Sequence, residues 1–432
     1  MATTRSNDDK ETRMHEQDKP EEGFDRRDFL KTAGAMGLAT MFATAKPTWA
    51  ASETPIKIGL VDPITSTFAA LGHSEIKGAQ FAEAEINKAG GILGRPLQVL
   101  VEDSAGNPGT AVDKSSRLVS QDKVDFLMGT VNSAASLAVS QFANQHNKLF
   151  LCTGGHVDSL TGSECKSTTF RTCSTTWMLT AGDFETLYKK FGKKWYFLTT
   201  DYAFGKSEQT DYTTQLKKVG GTVVGGALVP VGTTDFSSYL IDVKAKSPQV
   251  LCLLLAGNDQ VNCMKQIAQF GINKDIAVGG ALFELEQAQA LPEAARYGWW
   301  TMEWYWNQPK TPHVADFVKR FSAAHKGEYP TARVWFGYAS TYAIKLAVER
   351  AKSTDTAKVV KAMEGLVLPP EVALQPTAPV YRAEDHQLMI SMFPGHVIQT
   401  GTYPNLFDVS AIVPGASIAL SPQEMGCKLP RT

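Results

Sequence analysis

Two α/β lobes, each a doubly wound parallel sheet, are what this sequence predicts, and three observations carry that expectation. The chain has 432 residues, more than one core of about 250–300 residues holds. From Ile56 onward, short apolar runs alternate with longer amphipathic ones, the order that wraps a parallel sheet with helices on both faces. That rhythm lapses over the loop-rich stretch 153–176 and then restarts, giving two halves of comparable size.

Residues 56–61 read as a buried strand. The stretch 74–89 reads as a helix, with Ile76, Ala79, Phe81, Ala82 and Ile86 on its apolar stripe. Gly90-Gly91 ends it, because glycine reaches the left-handed conformation that helix ends use. Strand 97–101, helix 109–120, strand 124–128, helix 134–145 and strand 149–152 follow. After the loop, strands are expected at 195–199, 222–229, 250–255 and 276–280, with helices at 207–219, 237–246 and 260–270 between them. Helices at 314–325 and 334–351 come next, and the remainder from Leu368 mixes Pro, Gly and short strand-like pieces. Crossovers between parallel strands should be right-handed.

The first fifty residues stand apart. Residues 1–23 are crowded with charge and nearly lack large apolar side chains, so they cannot bury enough surface to order themselves. The pair Arg26-Arg27 leads to Phe29-Leu30-Lys31, then to a modest apolar run over 32–45, then to Thr48-Trp49-Ala50. Basic region, short apolar core and small-residue exit make an export signal; a membrane span needs roughly 20 apolar residues. The arginine pair resembles the twin-arginine signal, which implies export of a folded protein to the periplasm. Without residues 1–50 the chain keeps 382 residues, 35 basic and 35 acidic, a balance that argues for neither nucleic acid nor an anionic membrane as partner. The first cysteine is Cys152, far from the expected cleavage site, so no membrane anchor is expected, and the mature protein should be a soluble monomer.

Six cysteines in an oxidising compartment allow disulfides. Cys152 and Cys252 lie in apolar strand-like runs and suit core packing. Cys165, Cys173 and Cys427 lie in loop or tail sequence and are the better bridge candidates, with the pairing open.

Signatures of catalysis and cofactor binding are missing. Gly205-Lys206-Ser207 resembles the end of a phosphate-binding loop, but Thr200 stands where that pattern requires glycine. No dinucleotide turn and no Gly-x-Ser-x-Gly elbow occur. The eight histidines are scattered, without the spacing of a zinc site, and Cys152 and His156 straddle a Gly-Gly turn. No cofactor, no metal and no enzymatic activity are expected.

Several stretches, taken in order, resemble the periplasmic binding proteins of type I fold, in the group serving branched-chain amino acid, urea, amide and aromatic-acid importers. They are Ile58-Gly59-Leu60 with Pro63-Ile64-Thr65-Ser66, the run from Ile86 through Asn87-Lys88-Ala89-Gly90-Gly91-Ile92-Leu93-Gly94-Arg95-Pro96 to Leu97, Glu102-Asp103-Ser104, Asp201-Tyr202-Ala203-Phe204-Gly205, Gln266-Ile267-Ala268, and Arg382-Ala383-Glu384-Asp385-His386-Gln387. The resemblance implies two lobes joined by a three-crossing hinge, the first 55–171 plus 304–382, the second 172–303 plus 383–432. It implies capture of a small solute between them for an ABC importer permease. A sensing receptor or regulator shares the fold, but a regulator should lack the export signal and a receptor should carry a spanning helix. An extracytoplasmic hydrolase would need a nucleophile, base and oxyanion site.

Ligands of open α/β sheets bind beyond the carboxyl ends of the strands. The turn from Gly129 through Thr130-Val131-Asn132-Ser133-Ala134 opens a helix, whose free N–H groups suit a carboxylate or carbonyl; Asn132 or Ser133 acting as a simple cap is the competing reading. The resemblance implies solute contacts at Ser133, Gly154, His156 and Tyr202, and Ala134 joins them as a candidate through the free N–H groups of this turn. Asn258 and Phe283 lie just past strand ends as candidates for the second wall, and Phe68 is a candidate lid. Amino-acid binders of the group hold an acid on the second wall, where Gly280-Ala281-Leu282-Phe283-Glu284 stands here. Either Glu284 or Asp259 therefore turns inward, or the solute lacks an ammonium group, since a buried unpaired charge is very costly.

Overall fold

A computed structural model describes residues 54–308 and 311–429; the export signal expected over 1–50 lies outside the described residues. The first lobe begins β1 (Ile56–Asp62), α1 (Ala69–Lys88), β2 (Leu97–Asp103), α2 (Pro108–Ser120), β3 (Phe126–Gly129), α3 (Ser133–Gln145), β4 (Phe150–Cys152) and β5 (Thr169–Arg171). Its five strands are parallel, in the order β2-β1-β3-β4-β5. The second lobe follows with α4 (Thr176–Phe191), β6 (Lys194–Thr200), α5 (Ala203–Lys218), β7 (Thr222–Val229), α6 (Ser237–Lys246), β8 (Val250–Leu254), α7 (Gly257–Gln269), β9 (Ala277–Leu282), α8 (Leu285–Ala290) and β10 (Trp299–Met302).

Helices α9 (Val314–Ala324), α10 (Ala332–Ala351) and α11 (Thr356–Met363) return to the first lobe. There Phe81 of α1 meets Phe317 and Phe321 edge-on, at 6.1 and 5.5 Å between ring centres. Strands β11 (Phe393–Val397) and β12 (Phe407–Val409) complete the second sheet. Its order is β12-β11-β10-β9-β8-β6-β7, parallel from β7 to β10 and antiparallel beyond. Among the described residues, no helix is long and apolar enough to cross a membrane.

The chain passes between the sheets near 171–175, 302–306 and 381–392, and hydrogen bonds join these crossings. Arg171 Nε donates to Gln387 Oε1 at 2.5 Å, and Gln387 Nε2 donates to the Cys173 carbonyl at 2.7 Å. Glu303 Oε1 accepts the Ser174 N–H at 2.7 Å. Such buried networks fix one arrangement because each polar group is satisfied only by the others.

One stretch left unassigned and one expected to be irregular are ordered elements, α4 and β5. Helix α4 falls directly after the loop-rich stretch; Thr175 caps it by accepting the Met178 N–H at 3.0 Å, and Met178, Leu179, Phe184 and Leu187 form its buried face. Strand β5 spans three residues, too few to show a period. Helices α1, α5 and α7 start five, four and three residues earlier than expected. Their N-caps are Phe68, Tyr202 and Ala256, none of which makes a side-chain cap bond, so the usual Ser, Thr, Asp or Asn start signal is missing.

Cys165 and Cys427 form a disulfide with Cα atoms 5.6 Å apart. Cys173, expected as a bridge candidate, is instead a free thiol in the core, because the chain there runs through the interior as it crosses between lobes.

Candidate functional site

The carboxyl ends of β1, β3 and β4 face those of β6, β8 and β9 across a seam between the lobes. Asn132 caps α3: its Oδ1 accepts the Ala135 N–H at 3.0 Å. The Ser133 and Ala134 N–H groups keep no hydrogen bond among the described residues, and the Ser133 hydroxyl accepts from Val157 N at 3.3 Å. Capping and an open first turn thus coexist, since a cap side chain satisfies only one of the orphan donors.

Behind that turn lies a buried ionic network. Arg333, in the first turn of α10, donates from Nη1 to Glu75 Oε1 at 2.9 Å and from Nε to Glu284 Oε1 at 2.6 Å. Glu75 also accepts the Thr153 hydroxyl. The first-lobe arginine therefore ties an acid of its own lobe to one of the second. Burial pushes the Glu284 carboxyl up to about 8, against the pull of Arg333 and with Glu286 and Glu303 adding to the rise. Glu284 Oε2 is buried without a partner. Asp62 beside this network is fully buried, and burial with Glu75 as neighbour holds its carboxyl well above the ordinary range.

Gly154 sits against the network. A Cβ there would stand 2.1 Å from Arg333 Nη1 and 2.4 Å from Glu75 Oε1, so any side chain would displace the pair. His156 Nε2 lies 2.7 Å from Glu303 Oε2. Burial lowers the His156 pKa despite Glu303; Glu303 is held below its ordinary value, its burial outweighed by His156, Arg333 and the Ser174 N–H. An imidazole donating to an ionised Glu303 fits both directions. Cys152 does not pair with His156: its sulfur takes the Gly155 N–H at 3.3 Å.

Phe68, Tyr202, Phe204 and His156 form a continuous aromatic wall. Ring centres are 5.9 Å apart for Phe68–Tyr202, 6.0 Å for Tyr202–Phe204 and 5.9 Å for His156–Phe204. Beside it the lobes join through Thr67, whose hydroxyl donates to Asp259 Oδ1 at 2.7 Å and whose carbonyl accepts the Asn258 N–H at 3.0 Å. Gly257 carries φ +59°, and a Cβ on it would stand 2.4 Å from that Thr67 carbonyl; glycine is what lets the lobes approach here.

The structure thus gathers Phe68, Ser133, Ala134, Gly154, His156 and Tyr202 along the seam. Asn258 reaches it by its backbone, with the residue otherwise exposed. Phe283 does not join them: its ring stacks on Trp300 at 5.2 Å in the second-lobe core. Sequence reasoning missed Arg333, Glu75 and Glu303. Arg333 and Glu75 lie on helices whose residues otherwise read as core and surface, and no local signal brings them together. Among the described residues, no group of His, Cys, Asp and Glu could hold a metal ion.

A family model described as periplasmic binding protein matches residues 55–402. The chain belongs to that family. A Leu/Ile/Val-binding protein homolog of Brucella abortus is 25% identical over 349 residues, 77% of this chain and 86% of the relative. A periplasmic binding protein of Burkholderia mallei superposes with a TM-score of 0.80 at 27% identity, over 87% of this chain and 99% of that one. An ABC transporter solute-binding protein of R. palustris, solved with benzoate, shares the fold, with a TM-score of 0.76 at 21% identity over 87% of this chain and all of that one.

Proposed function

We propose that this chain is the solute-binding component of an ABC importer. It is exported to the periplasm with residues 1–50 as a twin-arginine signal, delivers its cargo to a membrane permease, and turns nothing over. The solute sits in the seam among Phe68, Ser133, Ala134, Gly154, His156 and Tyr202. Contacts from both lobes stabilise the closed arrangement over the open one, which is all a ligand needs to shift a hinge.

One observation carries the choice of solute: Glu284 turns inward and keeps one buried oxygen without a partner. A buried polar group of that kind asks for a donor. The open Ser133 and Ala134 N–H groups ask for an anion, and the aromatic wall asks for an apolar body. An amino acid with a branched or aromatic side chain meets all three needs, and the Brucella relative's name agrees with that class. Sequence alone left open a solute without an ammonium group; the inward turn of Glu284 favours one that has it.

Titration calorimetry with leucine, phenylalanine and benzoate tests this. Leucine or phenylalanine should bind, and Glu284→Gln should weaken that binding by about 1.5–3 kcal/mol, the worth of a hydrogen bond to a charged group. Binding of benzoate, with neither amino acid bound, would remove the ammonium from the proposal. It would leave an aromatic acid held by the ring wall, as in the R. palustris protein.

A further inference from the structure

Besides the three crossings of the chain, its tail makes a connection of another kind between the lobes. Residues 410–427 leave the second sheet after β12 and end on the first lobe. Met392 and Val413 exchange backbone hydrogen bonds of 2.8 and 2.9 Å. Gly415 lies so near the Ile390 carbonyl that a Cβ on it would stand 1.9 Å away. Trp177 of α4 then pins the tail to the second lobe: its Nε1 donates to the Ile418 carbonyl at 2.9 Å, and Lys218 Nζ of α5 lies 5.3 Å from its ring centre. Arg382 Nη1 donates to the Leu420 carbonyl at 3.0 Å. Beyond Pro422 the tail reaches the loop between β4 and β5. A Cβ on Gly162 would stand 2.6 Å from the Met425 carbonyl, and Cys427 is bonded to Cys165. The Trp177 backbone N–H meanwhile donates to Asp158 Oδ1 at 3.0 Å, so the tail runs where this first-lobe loop meets α4.

We propose that the tail is a redox-gated strap on the hinge: with Cys165 and Cys427 joined it restrains opening, and with them reduced it lets the lobes swing wider. The importer reading supplies the purpose of that hinge, and the strap deepens it. Opening draws the 158–165 loop away from α4 and α5, and a tail pinned at Trp177 and bonded to Cys165 resists that separation. The restraint acts against the open state, so it enlarges the binding-competent fraction and with it the apparent affinity for solute. Cys165 and Cys427 are partly exposed, whereas Cys152, Cys173, Cys252 and Cys263 are buried free thiols. A soluble dithiol therefore reaches this bond while the core thiols stay out of the exchange, since access governs its rate. Closing the strap takes two electrons and two protons from the two thiols; a protein disulfide accepts them and leaves as a dithiol.

Small-angle X-ray scattering and leucine calorimetry on the full mature chain, before and after dithiothreitol, test this. Reduction should raise the radius of gyration of the free protein and weaken leucine binding several-fold, and oxidised glutathione should reverse both changes. The double variant Cys165→Ser/Cys427→Ser should start at the reduced values and ignore the reductant, which separates the strap from any effect elsewhere in the chain. An unchanged radius of gyration on reduction of the wild type overturns the proposal, as does a double variant that matches the oxidised protein. Loss of the helical circular dichroism signal on reduction overturns it too, because the bond would then hold the fold and not the hinge. If leucine fails to bind the oxidised protein, the solute assignment falls by itself, and scattering of the free protein still decides the strap.

Discussion

Phe68 and Phe283 both follow a strand closely, one in each lobe, and their fates differ. Phe68 lies against Tyr202 at the seam, whereas Phe283 stacks on Trp300 inside its own lobe. The loop after β1 has left the ladder by Phe68. Phe283 is still in it, donating its N–H to the Thr301 carbonyl at 3.2 Å. Side chains alternate while a ladder continues, so Phe283 faces the core and the next residue, Glu284, faces Arg333. The acid sought on the second wall is present one residue beyond the apolar run. A residue's distance past a strand end does not decide its direction; the last ladder bond does.

The sharpest way to break this comparison is at the seam. Arg333→Met would leave Glu75 and Glu284 buried beside Asp62 with no cation. Removing one partner of a buried ion pair typically costs about 3–5 kcal/mol, and urea unfolding should show a loss in that range. A loss below about 1 kcal/mol would mean that water already reaches the network, and that Glu284 is not held inward by the arginine.

Phe283→Ala sharpens the other side. A buried aromatic cut to alanine costs about 3–5 kcal/mol, so the melting temperature should fall while leucine affinity, measured on the folded fraction, stays near wild type. Lost affinity with unchanged stability would return Phe283 to the cleft.

The same contrast explains what the sequence disclosed. The β–α rhythm, most strands, and helices such as α2 and α3 were legible because burial and capping are local: Asn107 and Asn132 announce their helices. The starts of α1, α5 and α7 were not, since Phe68, Tyr202 and Ala256 cap nothing with their side chains. Two of these three, Phe68 and Tyr202, stand in the aromatic wall, and a helix end left without a cap keeps N–H groups for a visitor. The first-lobe candidates Ser133, Gly154 and His156 rest on the family resemblance. Arg333 escaped because it meets Glu75 and Glu284 across 258 and 49 residues of chain, a juxtaposition no period or motif encodes.

The smallest expected effect tests whether Tyr202 acts as a wall or as a donor. Its ring touches Phe68 and Phe204, and its hydroxyl makes no hydrogen bond among the described residues. Burial raises its pKa, with Glu208 adding to the rise, so the group stays neutral across the physiological range. If the ring alone matters, Tyr202→Phe keeps the contact area and should change leucine affinity by less than about 0.5 kcal/mol, the usual scatter of substitutions that touch no special feature. Tyr202→Ala removes the apolar surface and should lose about 1.5–3 kcal/mol. Equal losses in the two variants would show that the hydroxyl donates to the solute. The second wall would then read its guest by hydrogen bonding from α5 as well as through Glu284, and the division between an aromatic face and an ionic one would no longer hold.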